Sequence, residues 1–136
     1  MSYDLMVFEP LHAPRDKESL MKWYGEQIEW KEDHPYSDIQ VGSNPLQRFY
    51  KELTLTFPSI DLKGGILEAI EEAGTENRIT GYSIGKEVIY ASFAWSVAEE
   101  AINVMRLLAK KHKVGFFDVS GSDGEVTWPG LNTPCG

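Results

Sequence analysis

The sequence contains a single cysteine, Cys135, which lies one residue from the C-terminus. One thiol cannot form an internal disulfide, so the fold has to rest on its hydrophobic core. Apolar residues make up 42% of the chain and charged residues 25%, as in soluble globular proteins. A chain of 136 residues with this composition predicts one domain, residues 1–136, that folds without a disulfide or a metal ion.

Long apolar runs are also absent. No uninterrupted stretch approaches the roughly 20 residues that a membrane-spanning helix needs. The N-terminus lacks the basic segment and apolar run that are typical of a signal peptide. These absences predict a cytoplasmic protein that does not bind a membrane.

Basic residues are scarce, with 13 lysines and arginines against 21 acids and a net charge of −8. Residues 26–38 (the first acidic segment) and residues 61–76 (the second acidic segment) each contain five acids and one lysine, so each carries −4. A nucleic acid is therefore excluded as a partner, since its affinity depends on cations that neutralise phosphates. A basic protein partner would be attracted. The alternative is that the acids only keep the chain soluble.

Motifs that indicate catalysis or a cofactor are weak as well. The letters of the Gly-x-Ser-x-Gly motif occur at Gly81–Gly85, but they fall in a predicted strand and hairpin loop and not at the strand-to-helix turn of a nucleophile elbow. There is no Cys/His pairing and no zinc-ligand spacing. Gly121–Gly124 resembles a phosphate loop, but it joins two strands instead of leading into a helix, and is predicted to be a hairpin turn. We therefore expect no metal and no cofactor, and the sequence leaves open whether the chain is an enzyme.

The apolar pattern that is present predicts eight elements in one domain. Their order is strand, helix, helix, strand, strand, helix, strand, strand. The predicted strands are Tyr3–Phe8, Thr80–Ile84, Glu87–Trp95, Val114–Ser120 and Glu125–Trp128, and the predicted helices run from Asp16 to Trp30, from Asn44 to Phe57 and from Ser96 to Lys113.

Capping and turn residues support these bounds. Asp16 and Asn44 are predicted N-caps, and Ser96–Glu99 has the pattern of a capping box. Gly85-Lys86 is typical of a two-residue type II′ hairpin loop. The segment 59–77 shows the weakest pattern and is predicted to be an excursion on the surface.

This order predicts an α+β two-layer sandwich with the ferredoxin-like βαββαβ arrangement, a split first crossover and an extra C-terminal strand. In that arrangement the helices cover one face of the sheet. We expect that face to carry Leu5, Val7, Ile89, Phe93, Phe117 and Val119, and the open face to carry Met6, Phe8, Tyr90, Ser92, Phe116 and Asp118. Because the open face would be too apolar to stay exposed, a second subunit, the segment 59–77 or a ligand should cover it. A homodimer is the leading prediction.

Two groups of residues are candidates for binding. One is the polar segment Glu32–Asp38, where carboxylate, imidazole and phenol groups could cooperate in acid–base chemistry or form a solvated turn. The other is formed by Asp4 and Asp118 of neighbouring strands, which could share a proton or hold a substrate. In the alternative, Asp4 is exposed near the terminus and Asp118 caps the following turn. The candidate binding residues are Trp30, His34, Tyr36, Asp38, Tyr90, Phe116 and Asp118.

Several phrases of the chain resemble a group of small, uncharacterised bacterial proteins. The resemblance implies a bacterial cytoplasmic origin and transfers no activity, cofactor or functional residue. It is carried by Tyr3–Pro10, Trp23-Tyr24, Glu29-Trp30 and Gly115–Gly121.

Two functions from different classes fit these observations. The first is a non-catalytic binding protein, immunity-like, that engages a basic protein partner such as a toxin domain through its acidic segments. The second is a small enzyme or small-molecule-binding protein of the dimeric ferredoxin-like kind, with an aromatic pocket in which His34, Tyr36 and Asp118 converge.

Overall fold

The structure is a computed structural model that describes residues 3–11, 13–29, 39–59, 78–121 and 125–128. Within these ranges the chain is α+β, with an open antiparallel sheet of five strands and three α-helices. The strands are β1 (Tyr3–Phe8), β2 (Gly81–Ile84), β3 (Val88–Phe93), β4 (Gly115–Phe117) and β5 (Val126–Thr127). The helices are α1 (Lys17–Gln27), α2 (Asn44–Leu53) and α3 (Ala98–His112).

The strands follow the order β2-β3-β1-β4-β5, and every neighbouring pair is antiparallel. β1 lies at the centre, where Val7 pairs with Ile89 of β3 on one side and with Phe116 of β4 on the other. Because successive side chains of a strand point to opposite faces, this register decides which residues share each core.

Helices α2 and α3 cover one face of the sheet and form the main core with it, as in a two-layer sandwich. Apolar residues of α2 recur every three or four positions, which places them on one side of the helix. The helical residues in this core include Leu46, Phe49, Leu53, Ala101, Met105, Leu108 and Ala109, and the strand residues include Leu5, Val7, Ile89, Ala91, Phe93 and Phe116.

Helix α1 covers the opposite face, which the sequence predicted to be open. Met6 and Phe8 have no exposed surface, and Leu20 of α1 is only 2% exposed. The Phe8 ring packs edge-on against Trp23 of α1, with 6.0 Å between the ring centroids. The prediction that the helices cover only one face of the sheet is therefore wrong, and a homodimer through the other face is no longer supported by an uncovered apolar surface there. Self-association itself stays a prediction.

The two adjacent phenylalanines of β4 occupy the opposite faces to those predicted. Phe116 lies in the core with α2 and α3, whereas Phe117 lies beneath α1. The ring of Phe117 packs edge-on against Tyr24 with a centroid distance of 5.0 Å. The sequence pattern could not predict this arrangement, because residues on both faces of the strand are apolar. A shift of one residue therefore fits the pattern equally well.

The ends of the helices confirm one predicted cap and correct two. The Asp16 carboxylate accepts a hydrogen bond from the Ser19 backbone N–H at 2.9 Å, as expected of an N-cap. For α2 the N-cap is Ser43, one residue earlier than predicted, and the helix ends at Leu53. The predicted capping box is wrong, because a 3₁₀ turn at Trp95–Val97 precedes α3 and moves its N-cap to Val97.

The β2–β3 hairpin closes one residue later than predicted. The Gly85 N–H donates to the Val88 carbonyl at 2.8 Å, so Lys86 and Glu87 form the loop instead of Gly85 and Lys86. The Glu87 carbonyl then accepts from the Glu9 N–H at 2.8 Å, which ties the loop to the end of β1.

None of the helices in the described ranges has the length and apolar character needed to cross a membrane.

Candidate functional site

The candidate binding residues divide into those that the structure describes and those that it does not. Most of the segment 59–77, Cys135 and four of the seven candidates lie outside the described residues. These four are Trp30, His34, Tyr36 and Asp38. The other three, Tyr90, Phe116 and Asp118, lie in three separate surroundings.

Tyr90 belongs to a polar cluster beneath α1. Its hydroxyl donates to Oδ2 of Asp4 on the neighbouring strand β1 at 2.5 Å, and it also interacts with the hydroxyl of Tyr24 on α1. The register explains the contact, since Asp4 pairs with Ser92 and Tyr90 therefore lies diagonally across the strand pair. We name Asp4, Tyr24 and Tyr90 the phenol–carboxylate cluster.

Burial sets the protonation of this cluster. It raises the pKa of Tyr90 well above its ordinary value, and the hydrogen bond to Asp4 raises it further. Burial also raises the pKa of Tyr24, against the opposing effect of its hydrogen bond with Tyr90. Both phenols therefore stay neutral near pH 7. A cluster of this kind can hold a polar group by hydrogen bonds, but its phenols cannot act as bases at that pH.

Asp118 serves the turn after β4. It is 8% exposed, and its Oδ1 accepts from the Tyr3 hydroxyl at 2.9 Å and from the Gly121 N–H at 3.0 Å. Burial raises the pKa of Tyr3, and its hydrogen bond to the Asp118 carboxylate adds to the effect. The alternative in which Asp118 caps the following turn is confirmed.

Asp4 and Asp118 do not form a carboxylate pair. The Asp118 carboxylate accepts a hydrogen bond from the Tyr3 hydroxyl. Asp4 follows Tyr3 in β1, so the Asp4 side chain points to the opposite face of the sheet, where it contacts Tyr90. Asp4 lies instead beside Ser120, whose hydroxyl accepts from the Asp4 N–H at 2.8 Å. Among the described residues, no group of three or more His, Cys, Asp or Glu side chains is placed to hold a metal ion.

Phe116 has no exposed surface and packs with Val7 and the residues of α2 and α3. Its ring is covered from outside by Arg106, whose guanidinium carbon lies 5.8 Å from the ring centroid. A side chain in this position contributes to the core and offers no surface to a partner.

The outer side of α2 carries two adjoining surface depressions that the sequence did not predict. Their volumes are about 390 Å³ and about 410 Å³, and Arg48 and Lys51 line both. The first is also lined by Ile39, Gln47, Tyr50 and Thr54, and the second by Glu52, Leu55 and His112. We name this surface the α2 face. The sequence does contain a signal for this surface. Arg48, Lys51 and Leu55 are three and four residues apart, which places them on one side of the helix, away from its apolar stripe.

Comparison with family models, with curated proteins and with solved structures finds no match for this chain. Function therefore has to be inferred from the residues and contacts of the chain itself.

Proposed function

We propose that this chain is a non-catalytic binding protein that uses its two acidic segments to engage a basic protein partner, in the manner of an immunity protein. The observation that carries the proposal is the distribution of charge. Each acidic segment holds −4, and the rest of the chain sums to zero. Charge concentrated in this way attracts a basic surface at long range and raises the rate of association.

The contacts of the described carboxylates support a non-catalytic role. Asp118 caps the turn after β4 and Asp4 accepts a hydrogen bond from Tyr90, so both carboxylates contribute to the fold. Three further acids form ion pairs that tie elements together, namely Arg78–Glu100, Arg106–Glu125 and Lys111–Glu52.

The test is a pull-down from a bacterial lysate at low salt, with the bound proteins identified by mass spectrometry. The expected result is recovery of a basic protein that is released when the salt is raised, because screening weakens long-range attraction. The variant Glu32→Gln/Asp33→Asn should recover less of it. The matched control Glu18→Gln/Glu99→Gln removes the same charge from α1 and α3 and should bind as the parent does. If low salt recovers no basic protein, the proposal is refuted.

We also propose the ferredoxin-like arrangement for the fold. The order β2-β3-β1-β4 with antiparallel neighbours is the order that a βαββαβ chain produces when each crossover skips one strand. In this assignment β5 is the extra strand beyond β4, and α1 and α2 together make up the split first crossover. Helix α1 departs from the arrangement, because it lies on the opposite face of the sheet from α2 and α3.

A second candidate function is a small-molecule binder of the dimeric ferredoxin-like kind. The observation that favours it is the phenol–carboxylate cluster, where two neutral phenols and one carboxylate converge between β1, β3 and α1. A ligand bound there would change the environment of Tyr24 and Tyr90. Tyrosine absorbance or fluorescence titrated with a metabolite set should then respond in the parent chain and not in Tyr90→Phe. An equal response in both would remove this candidate.

Cytoplasmic location and self-association stay proposals. Because α1 covers the apolar face of the sheet, the interface of any homodimer has to lie elsewhere on the surface.

A further inference from the structure

The α2 face combines positive charge with apolar surface. Arg48 and Lys51 are exposed, and both line the two depressions. Among the described residues that line the two depressions, the one carboxylate is Glu52, which already interacts with Lys111 Nζ at 2.9 Å and with His112 Nε2 at 3.0 Å. The charges of Arg48 and Lys51 are therefore not cancelled by Glu52.

Apolar groups lie beside these cations. Leu55, two residues beyond the end of α2, is 82% exposed, whereas Leu46 and Leu53 within the helix are buried. Ile39 and Tyr50 are partly buried and form the wall of the first depression. A surface of this composition suits a segment that carries both carboxylates and large apolar side chains.

The chain itself contains such a segment. The first acidic segment carries −4 and also two aromatic residues, Trp30 and Tyr36. Its charge is opposite to that of the α2 face, and aromatic residues are the side chains most often found as anchors in protein interfaces. We propose that the α2 face binds the first acidic segment of a second copy of this chain.

A contact of this kind can be made twice in one dimer. If each copy gives its acidic segment to the α2 face of the other, the two contacts are related by a twofold axis and the assembly closes at two copies. This inference does not depend on a basic partner, although a basic partner and a second copy would compete for the same acidic segment.

The test is sedimentation equilibrium of the full chain at rising concentration, at about 0.02 M and about 0.5 M salt. The expected result is a mass that rises from monomer to dimer at low salt and a dimer that weakens at high salt. Arg48→Glu/Lys51→Glu should weaken dimerisation by about tenfold or more, because like charges then face each other. Lys22→Glu/Lys110→Glu makes the same change in net charge elsewhere and should dimerise as the parent does.

A charge exchange separates this contact from a general charge effect. Glu32→Lys/Asp33→Lys should also weaken self-association, and mixing it with Arg48→Glu/Lys51→Glu should restore a dimer of the two variants. Thermal unfolding of each variant confirms that it is folded. A monomer at every concentration in low salt would overturn the proposal, including the case in which the segment binds its own α2 face. A dimer unaffected by the Arg48 and Lys51 changes would overturn it too, while leaving the proposed basic partner in place.

Discussion

At the scale of single residues, Gly115 shows how closely β4 approaches the aromatic core beneath α1. It pairs with Phe8, and a Cβ at this position would lie 2.2 Å from two atoms of the Phe8 ring. Phe8 is fully buried and cannot move aside without disturbing its neighbours. We expect Gly115→Ala to lower the free energy of unfolding by about 1–3 kcal/mol, measured by urea denaturation.

Gly25 provides the matched control. It lies within α1, where a Cβ would meet nothing within 4 Å. Gly25→Ala should therefore raise the free energy of unfolding by about 0.5–1 kcal/mol, since alanine restricts the unfolded chain and favours the helix. An equal loss of stability in both variants would show that the Phe8 contact does not determine the cost.

Lys113 ends α3 in a left-handed conformation, with φ 60° and ψ 45°. It is the one residue other than glycine with positive φ in the described part of the chain. Because a Cβ is strained in this region, Lys113→Gly should raise the free energy of unfolding by about 0.5–1 kcal/mol. Lys113→Ala keeps the strain and should not be stabilised. Chemical denaturation of the two variants distinguishes this effect from the loss of the lysine charge.

At the scale of elements, α1 depends on a single cap. The hydrogen bond from the Ser19 N–H holds the pKa of Asp16 below its ordinary value, so the carboxylate that caps the helix is charged at neutral pH. Asp16→Ala should loosen α1 over the sheet, whereas Asp16→Asn keeps an acceptor and should lose less. Hydrogen exchange of the α1 amides measures this directly. Faster exchange in α2 and α3 as well would contradict a local effect.

The strands and the α3 stripe could be predicted from sequence because their apolar residues follow a clear period. Helix α1 could not be assigned to a face, since its stripe of Leu20, Trp23 and Tyr24 fits either side of the sheet. The candidate site shows the same limit. Tyr90 was identified, but its partners Asp4 and Tyr24 depend on the strand register and on the placement of α1.

At the scale of the whole molecule, two tyrosines in different cores link stability to alkaline pH. Burial raises the pKa of Tyr82, whose hydroxyl donates to the Phe57 carbonyl at 2.7 Å, and it raises the pKa of Tyr90 under α1. In the unfolded chain both titrate near 10.0. The unfolded state therefore loses protons first, and stability that is fully present below pH 10.0 declines as the pH rises above it.

Urea midpoints measured from about pH 8 to about pH 11 should show this decline. Tyr82→Phe and Tyr90→Phe should each be less stable than the parent at neutral pH, because each leaves an acceptor without its hydroxyl donor. Each should also decline less steeply above pH 10.0, since one titrating phenol is gone. A slope equal to that of the parent would show that the phenol does not contribute.

The position of α1 has a consequence for aggregation. With both faces of the sheet covered, another strand would have to be added beside β2 or β5, the outer strands of the described sheet. β5 is two residues long and offers almost no backbone template. Beyond the start of β2, Thr80 already forms a parallel bridge with Ser59, and its N–H donates to the Pro58 carbonyl at 2.8 Å. A sheet whose edge strands are short or already paired resists the addition of strands from other chains that leads to amyloid.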